Sequence, residues 1–121
     1  MAKKRILVID DEQSFTRLVK LSLEETGRYE VMEENRGPRG LSIARKFNPD
    51  LVLLDIAMPD MGGGEVAAQI KNDPDLKDVP IVFLTAVIKK SEETIISGIP
   101  YIAKPVTLNK LIMCVEDNLR K

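Results

Sequence analysis

Residues 51–56 read "LVLLDI": four aliphatic side chains in a row, one acid, then one more aliphatic residue. A strand wet on one face alternates apolar and polar residues, so an unbroken apolar run bounded by turn signals reads as a strand covered on both faces. The turn signals are present, with "NPD" at 48–50 before the run and "AMPDMGGG" at 57–64 after it. The pattern recurs along the chain. "ILVI" (6–9), "IVFLTA" (81–86) and "YIA" (101–103) are further continuous runs, and "YEVME" (29–33) is a weaker, alternating one.

Between these runs lie stretches with helical spacing. Phe15, Leu18, Val19 and Ser22 share one face of the first, Leu41, Ala44 and Phe47 of the second, and Val66, Ala67 and Ile70 of the third. Leu108, Leu111, Ile112, Val115 and Leu119 line the last. A fourth, short helix is expected in "SEETIIS" (91–97), with Ser91 as N-cap and Gly98 as stop. Gly27 closes the first helix, and Pro100 precedes the fifth strand. Strand and helix thus alternate five times over residues 1–121, which predicts a single α/β domain, a doubly wound parallel sheet with helices on both faces.

Composition removes several function classes. With 18 basic and 19 acidic side chains the net charge is −1, and no lysine or arginine run is long enough to suggest direct binding of nucleic acid or an anionic membrane. Met1 is followed by lysines and a four-residue apolar run, neither a signal peptide nor a membrane span. The single cysteine, Cys114, forbids an internal disulfide and agrees with a cytoplasmic setting; beside an apolar stripe it reads as a half-buried hydrophobe. There is no histidine, so any chemistry runs on carboxylates, hydroxyls and lysine.

Open parallel sheets bind ligands beyond the carboxyl ends of their strands. At those ends the sequence places Asp10 and Asp11 after the first strand, Asp55 at the end of the third, Thr85 at the end of the fourth and Lys104 just past the fifth. Any one could be ordinary wet strand-end polarity; the set together is not. Neighbouring carboxylates raise one another's pKa, and a hard divalent cation reverses that. Mg²⁺, held by one or two carboxylates plus phosphate oxygens, suits so short a set better than Ca²⁺ with its six to eight ligands. A hydroxyl and an ammonium would bind the remaining oxygens of a phosphoryl group. Asp55, standing apart from the adjacent acidic pair, is the better nucleophile, and would form an aspartyl phosphate. Glu12 reads as helix-start chemistry, outside the metal set.

In that arrangement the chain resembles the receiver domain of two-component response regulators, over essentially its whole length. The carrying residues are the acidic pair Asp10 and Asp11, Asp55 followed by "MPDMGG", Thr85 in "LTA" and Lys104 in "KP". The resemblance implies a flavodoxin-like five-stranded sheet of order 2-1-3-4-5 with five helices. It implies Mg²⁺ ligated by Asp11, Asp55 and the backbone carbonyl of Ala57, with Asp10 acting largely through water, and a cis peptide between Lys104 and Pro105. It further implies a histidine kinase or histidine phosphotransfer protein as phosphodonor to Asp55. Thr85 and Tyr101 would be switch residues that bias a surface of the fourth helix, fifth strand and last helix toward a downstream protein or a separate effector domain. The receiver would be stand-alone or part of a longer protein, and monomeric or dimeric on phosphorylation.

Two departures from the family's habit carry expectations. Lys104 follows Thr85 by 19 positions, short by about one helical turn of roughly four residues, which places the loss in the fourth helix. Two positions beyond Asp55 and Thr85 stand Ala57 and Val87, neither able to orient water through a side-chain hydrogen bond. Slow self-dephosphorylation is expected. Three competing classes fit less well. A small-substrate aspartyl-phosphate hydrolase wants a second acid where Ala57 stands, and an FMN binder wants a hydroxyl- and glycine-rich loop where "DDEQ" would repel bare phosphate. A receiver-like module that binds partners without phosphorylation is the most serious rival.

Overall fold

The structure is a computed structural model that describes residues 2–85 and 99–120. In chain order it runs β1 (Lys4–Ile9), α1 (Gln13–Glu25), β2 (Tyr29–Glu34), a 3₁₀ turn (Gly37–Arg39), α2 (Gly40–Phe47), β3 (Leu51–Asp55), α3 (Gly63–Lys71), β4 (Ile81–Thr85), β5 (Tyr101–Ala103) and α4 (Leu108–Leu119). The short helix expected at 91–97 lies outside the described residues.

All pairings are parallel and the strand order is β2-β1-β3-β4-β5, as the resemblance implied. Every residue of β3 is buried, because β1 and β4 flank it and helices cover both its faces. Successive strand side chains point to opposite faces, and the core divides accordingly. Leu7, Ile9, Val52, Leu54 and Phe83 pack under α2 and α3, against Ala44, Phe47, Val66 and Ile70. Ile6, Val8, Leu51, Leu53, Val82 and Leu84 pack under α1 and α4, against Val19, Leu23, Leu111 and Val115. The alternating "YEVME" forms β2, an edge strand whose outward positions Glu30 and Met32 are exposed.

Helix α1 sits rotated from the expected face. Val19 is buried and Phe15 half-buried against the core, as expected, but Leu18, also expected inside, is 61% exposed, while Thr16 and Leu23 join Val19 in facing the sheet. Both sets have helical spacing, and the polar Thr16 disguises the buried one. Its hydroxyl donates to the Glu33 carboxylate at 2.8 Å, which allows its burial. Leu108 of α4, also expected inside, is 49% exposed at the helix start. Leu111 and Val115 are buried and Ile112 and Leu119 half-buried against the core, as expected, and Asn118 joins them, donating its side-chain amide to the Cys114 carbonyl. Cys114 is half-buried beside that core, as the sequence suggests. Met58 and Met61 pack the turn after Asp55 against the α2–α3 core.

Two backbone features set the turns. Gly27 takes φ 79° just past α1, a conformation that costs glycine little. Gly63 lies so close to β3 that a Cβ on it would stand 2.2 Å from the Asp55 carbonyl oxygen. Its amide donates to the Ile56 carbonyl at 2.8 Å, so α3 starts directly against the end of β3.

Candidate functional site

The carboxyl ends of β1, β3, β4 and β5 lie side by side, because parallel strands in register bring their ends to one edge of the sheet. Asp10 follows β1 at 1% exposure and Asp55 ends β3 at 6%, while Asp11 is exposed. One carboxylate oxygen from each of Asp10, Asp11 and Asp55 lies within 4.8 Å of the others. Lys104, in the loop after β5, reaches back to this cluster, and its ammonium is ion-paired with Asp10 Oδ2. The Lys104-Pro105 peptide is cis. Thr85 closes β4 at the same edge, opposite Ala103. Tyr101 opens β5 opposite Phe83 and is half-buried against the core beneath α2 and α3.

The electrostatics follow from crowding. Burial raises the Asp55 pKa to about 6, and the Asp10 charge pushes the same way; Lys104 and a hydrogen bond from the Ala57 amide oppose them, and Asp11 adds a smaller upward push. Asp10 is also raised, by burial first, against the pull of Lys104 and of the Glu12 amide. Among the described residues one ammonium faces three carboxylates, so the cluster as described is short of positive charge. A donor set made only of hard oxygens, two of the three acids buried, fits a small divalent cation such as Mg²⁺.

The turn that carries the acids is held from several directions. The Glu12 amide donates to Asp10 Oδ1 at 2.9 Å, and the Asp10 amide donates to the Glu34 carbonyl at 3.0 Å. Glu12 itself occupies the N-cap of α1 without a side-chain capping bond, so its place is at the helix start as expected, but by its backbone. Asn35 donates its side-chain amide to the Asp10 carbonyl at 2.8 Å and to Thr16 Oγ1 at 2.9 Å. Sequence reasoning missed Asn35. It directly follows β2, and the inventory of strand ends would have found it had the weak second strand been included. Phe15 was read only as an apolar helix residue, yet its ring lies 4.2 Å from the Lys104 ammonium. Val87 lies outside the described residues, and among those residues no helix is long and apolar enough to cross a membrane.

Comparison with known proteins agrees with this fold. The family model described as the response regulator receiver domain matches residues 6–116. The polar-differentiation response regulator DivK of Brucella ovis is 32% identical over 119 residues, covering 96% of both chains. Among solved structures, the chemotaxis protein CheY4 of Vibrio cholerae superposes with a TM-score of 0.85 at 26% identity, covering 97% of this chain and 99% of that one. The N-terminal domain of a response regulator receiver protein from Methanoculleus marisnigri gives a TM-score of 0.74 at 33% identity, covering 99% of both chains. With the acids and the lysine gathered at one sheet edge and a family match along nearly its whole length, the chain belongs to the response regulator receiver domain family.

Proposed function

We propose that the domain is a phosphorylation-dependent switch of two-component signalling, with Asp55 as the acceptor. The observation that carries this reading is the buried Asp55 carboxylate, clustered with Asp10 and Asp11 beside the ammonium of Lys104. Asp10, Asp11 and Asp55 would hold Mg²⁺, joined by the Ala57 carbonyl. The ion supplies charge neutralisation that lets an anionic carboxylate meet an anionic phosphoryl group.

The chain's own residues do the rest. An Asp55 carboxylate oxygen attacks phosphorus, and the P–N bond to the donor's imidazole breaks. The bonding electron pair stays on the imidazole nitrogen. The donor is a histidine kinase or histidine phosphotransfer protein, since this chain has no histidine of its own. Lys104 and Thr85 take the phosphoryl oxygens as hydrogen-bond donors. Thr85 and Tyr101 then carry the change to the surface around β5 and α4, where a downstream protein or effector domain reads it. The cytoplasm, where such kinases present their phosphohistidine, is the compartment this reading requires.

Incubation with Mg²⁺ and acetyl phosphate, followed by intact-mass measurement, tests the proposal. A single labile phosphoryl addition, absent in Asp55→Asn, is expected. No addition at any donor concentration would sink the reading and leave an interaction module that works without phosphorylation.

A further inference from the structure

Lys104 meets two partners of different chemistry. Its ammonium pairs with Asp10 Oδ2 on one side and lies 4.2 Å from the centre of the Phe15 ring on another. The Lys104 side chain keeps only 15% exposure, although it borders an open groove of about 290 Å³ shared with Phe15, Leu18, Pro105 and Val106. The lysine comes from the loop after β5, whereas Phe15 stands on the first turn of α1, three residues past the N-cap. That turn is the one that begins at the acidic pair. The Phe15 amide donates to the Glu12 carbonyl at 3.0 Å, and the Glu12 amide donates to Asp10. Ring and acids are therefore carried by one short, internally bonded segment.

We infer that Phe15 is a positioning residue for Lys104: its ring face holds the ammonium over the acid cluster. A lysine side chain has four rotatable bonds and loses much rotamer freedom on being fixed. A single ion pair to Asp10 restrains only its tip, and any group that occupies Asp10 releases it. The negative face of an aromatic ring attracts a cation without neutralising it and without using its hydrogen-bond donors. The ammonium thus stays beside Asp55 with N–H groups still free to turn toward an incoming oxygen. A leucine at position 15 would keep the apolar cover and lose this attraction.

The inference rests on the proposed function for its catalytic meaning, and its test separates the two. In the full chain without metal, NMR should show the ε-methylene protons of Lys104 shifted upfield by the ring current of Phe15, and the shift should vanish in Phe15→Leu. Replacing Phe15 by mono-, di- and trifluorophenylalanine drains the ring face with little change in shape. Labelling by acetyl phosphate should then slow stepwise, by about three- to tenfold across the series, with the melting temperature nearly constant. Phe15→Trp should retain the rate. Ordinary lysine shifts at Lys104, or equal labelling rates across the series, would overturn the assignment. If the unmodified protein takes no phosphoryl group at all, the proposed function fails, and the ring-current shift alone decides whether Phe15 holds the ammonium.

Discussion

The ammonium of Lys104 closes its ion pair on Asp10, at 1% exposure, and reaches Asp55 only through space. A buried carboxylate that loses its partner is costly, of order 3–5 kcal/mol where the site cannot relax, so the pair ties the β5 loop to the end of β1. The same pair competes with a cation for Asp10.

Lys104→Met should therefore split two properties. Without the competing ammonium, Mg²⁺ should bind several-fold more tightly, while labelling of Asp55 by acetyl phosphate should fall at least tenfold. Calorimetric titration of the metal and intact-mass kinetics measure the two separately. Weaker metal binding would show that Lys104 orders the acids and does not compete for them.

The raised pKa of Asp55 gives a pH dependence of definite sign. Its folded value of about 6 lies above the ordinary 3.8, so the metal-free folded state holds this proton more tightly than the unfolded chain does. The stability this contributes is fully present below about pH 4 and is lost as pH rises through about 6. Asp55→Asn should be more stable than the wild type at pH 7.5 in chelator, by about 1–2 kcal/mol, with the gap closing toward pH 4. Urea unfolding across that range would show it, and a gap independent of pH would contradict it.

Gly63 makes the acceptor's position depend on a missing side chain. A Cβ there would stand 2.2 Å from the Asp55 carbonyl oxygen and 2.8 Å from the Ile56 Cα, both backbone atoms that cannot step aside. Gly63→Ala should cost about 1–3 kcal/mol, the range for overpacked sites. It should also slow labelling of Asp55, whereas Gly64→Ala, which meets nothing within 4 Å, should leave both unchanged. Chemical denaturation and intact-mass kinetics on the two variants provide the comparison.

The rotation of α1 predicts a contrast between leucines on one helix. Leu23→Ala empties a fully buried site and should destabilise by about 2–5 kcal/mol. Leu18→Ala, at 61% exposure, should cost less than about 0.5 kcal/mol. Equal losses in thermal unfolding would place Leu18 inside, as its spacing first suggested.

Loss of the phosphoryl group should be slow, because neither Ala57 nor Val87 offers a side chain that could direct water. Ala57→Asn with Val87→Glu should shorten the lifetime of labelled protein severalfold. A pulse of acetyl phosphate followed by timed mass spectra measures it, and an unchanged lifetime would assign hydrolysis to another control.

The sequence by itself determined the sheet, its parallel pairing and the edge where the chemistry gathers. An apolar run as continuous as "LVLLD" can be buried only between two helical layers, and the polar residues that break such runs mark the strand ends. Asp10, Asp55 and Lys104 were legible for that reason. The facing of α1 was legible only in part: Val19 was expected inside, but Phe15–Leu18–Ser22 and Thr16–Val19–Leu23 have the same spacing, so whether Leu18 or Thr16 and Leu23 join it was open. The Glu33 carboxylate on β2 and the Asn35 side-chain amide, both bonded to its hydroxyl, let Thr16 be the one that fits inside. The choice of Asp10 as the lysine's partner, the hold of Asn35 on the Asp10 carbonyl and the ring of Phe15 against Lys104 were likewise decided by the tertiary structure. Each joins residues far apart in the chain, and local periodicity says nothing about distances across a sheet edge. What the sequence supplies is the list of groups at that edge; folding decides which of them touch.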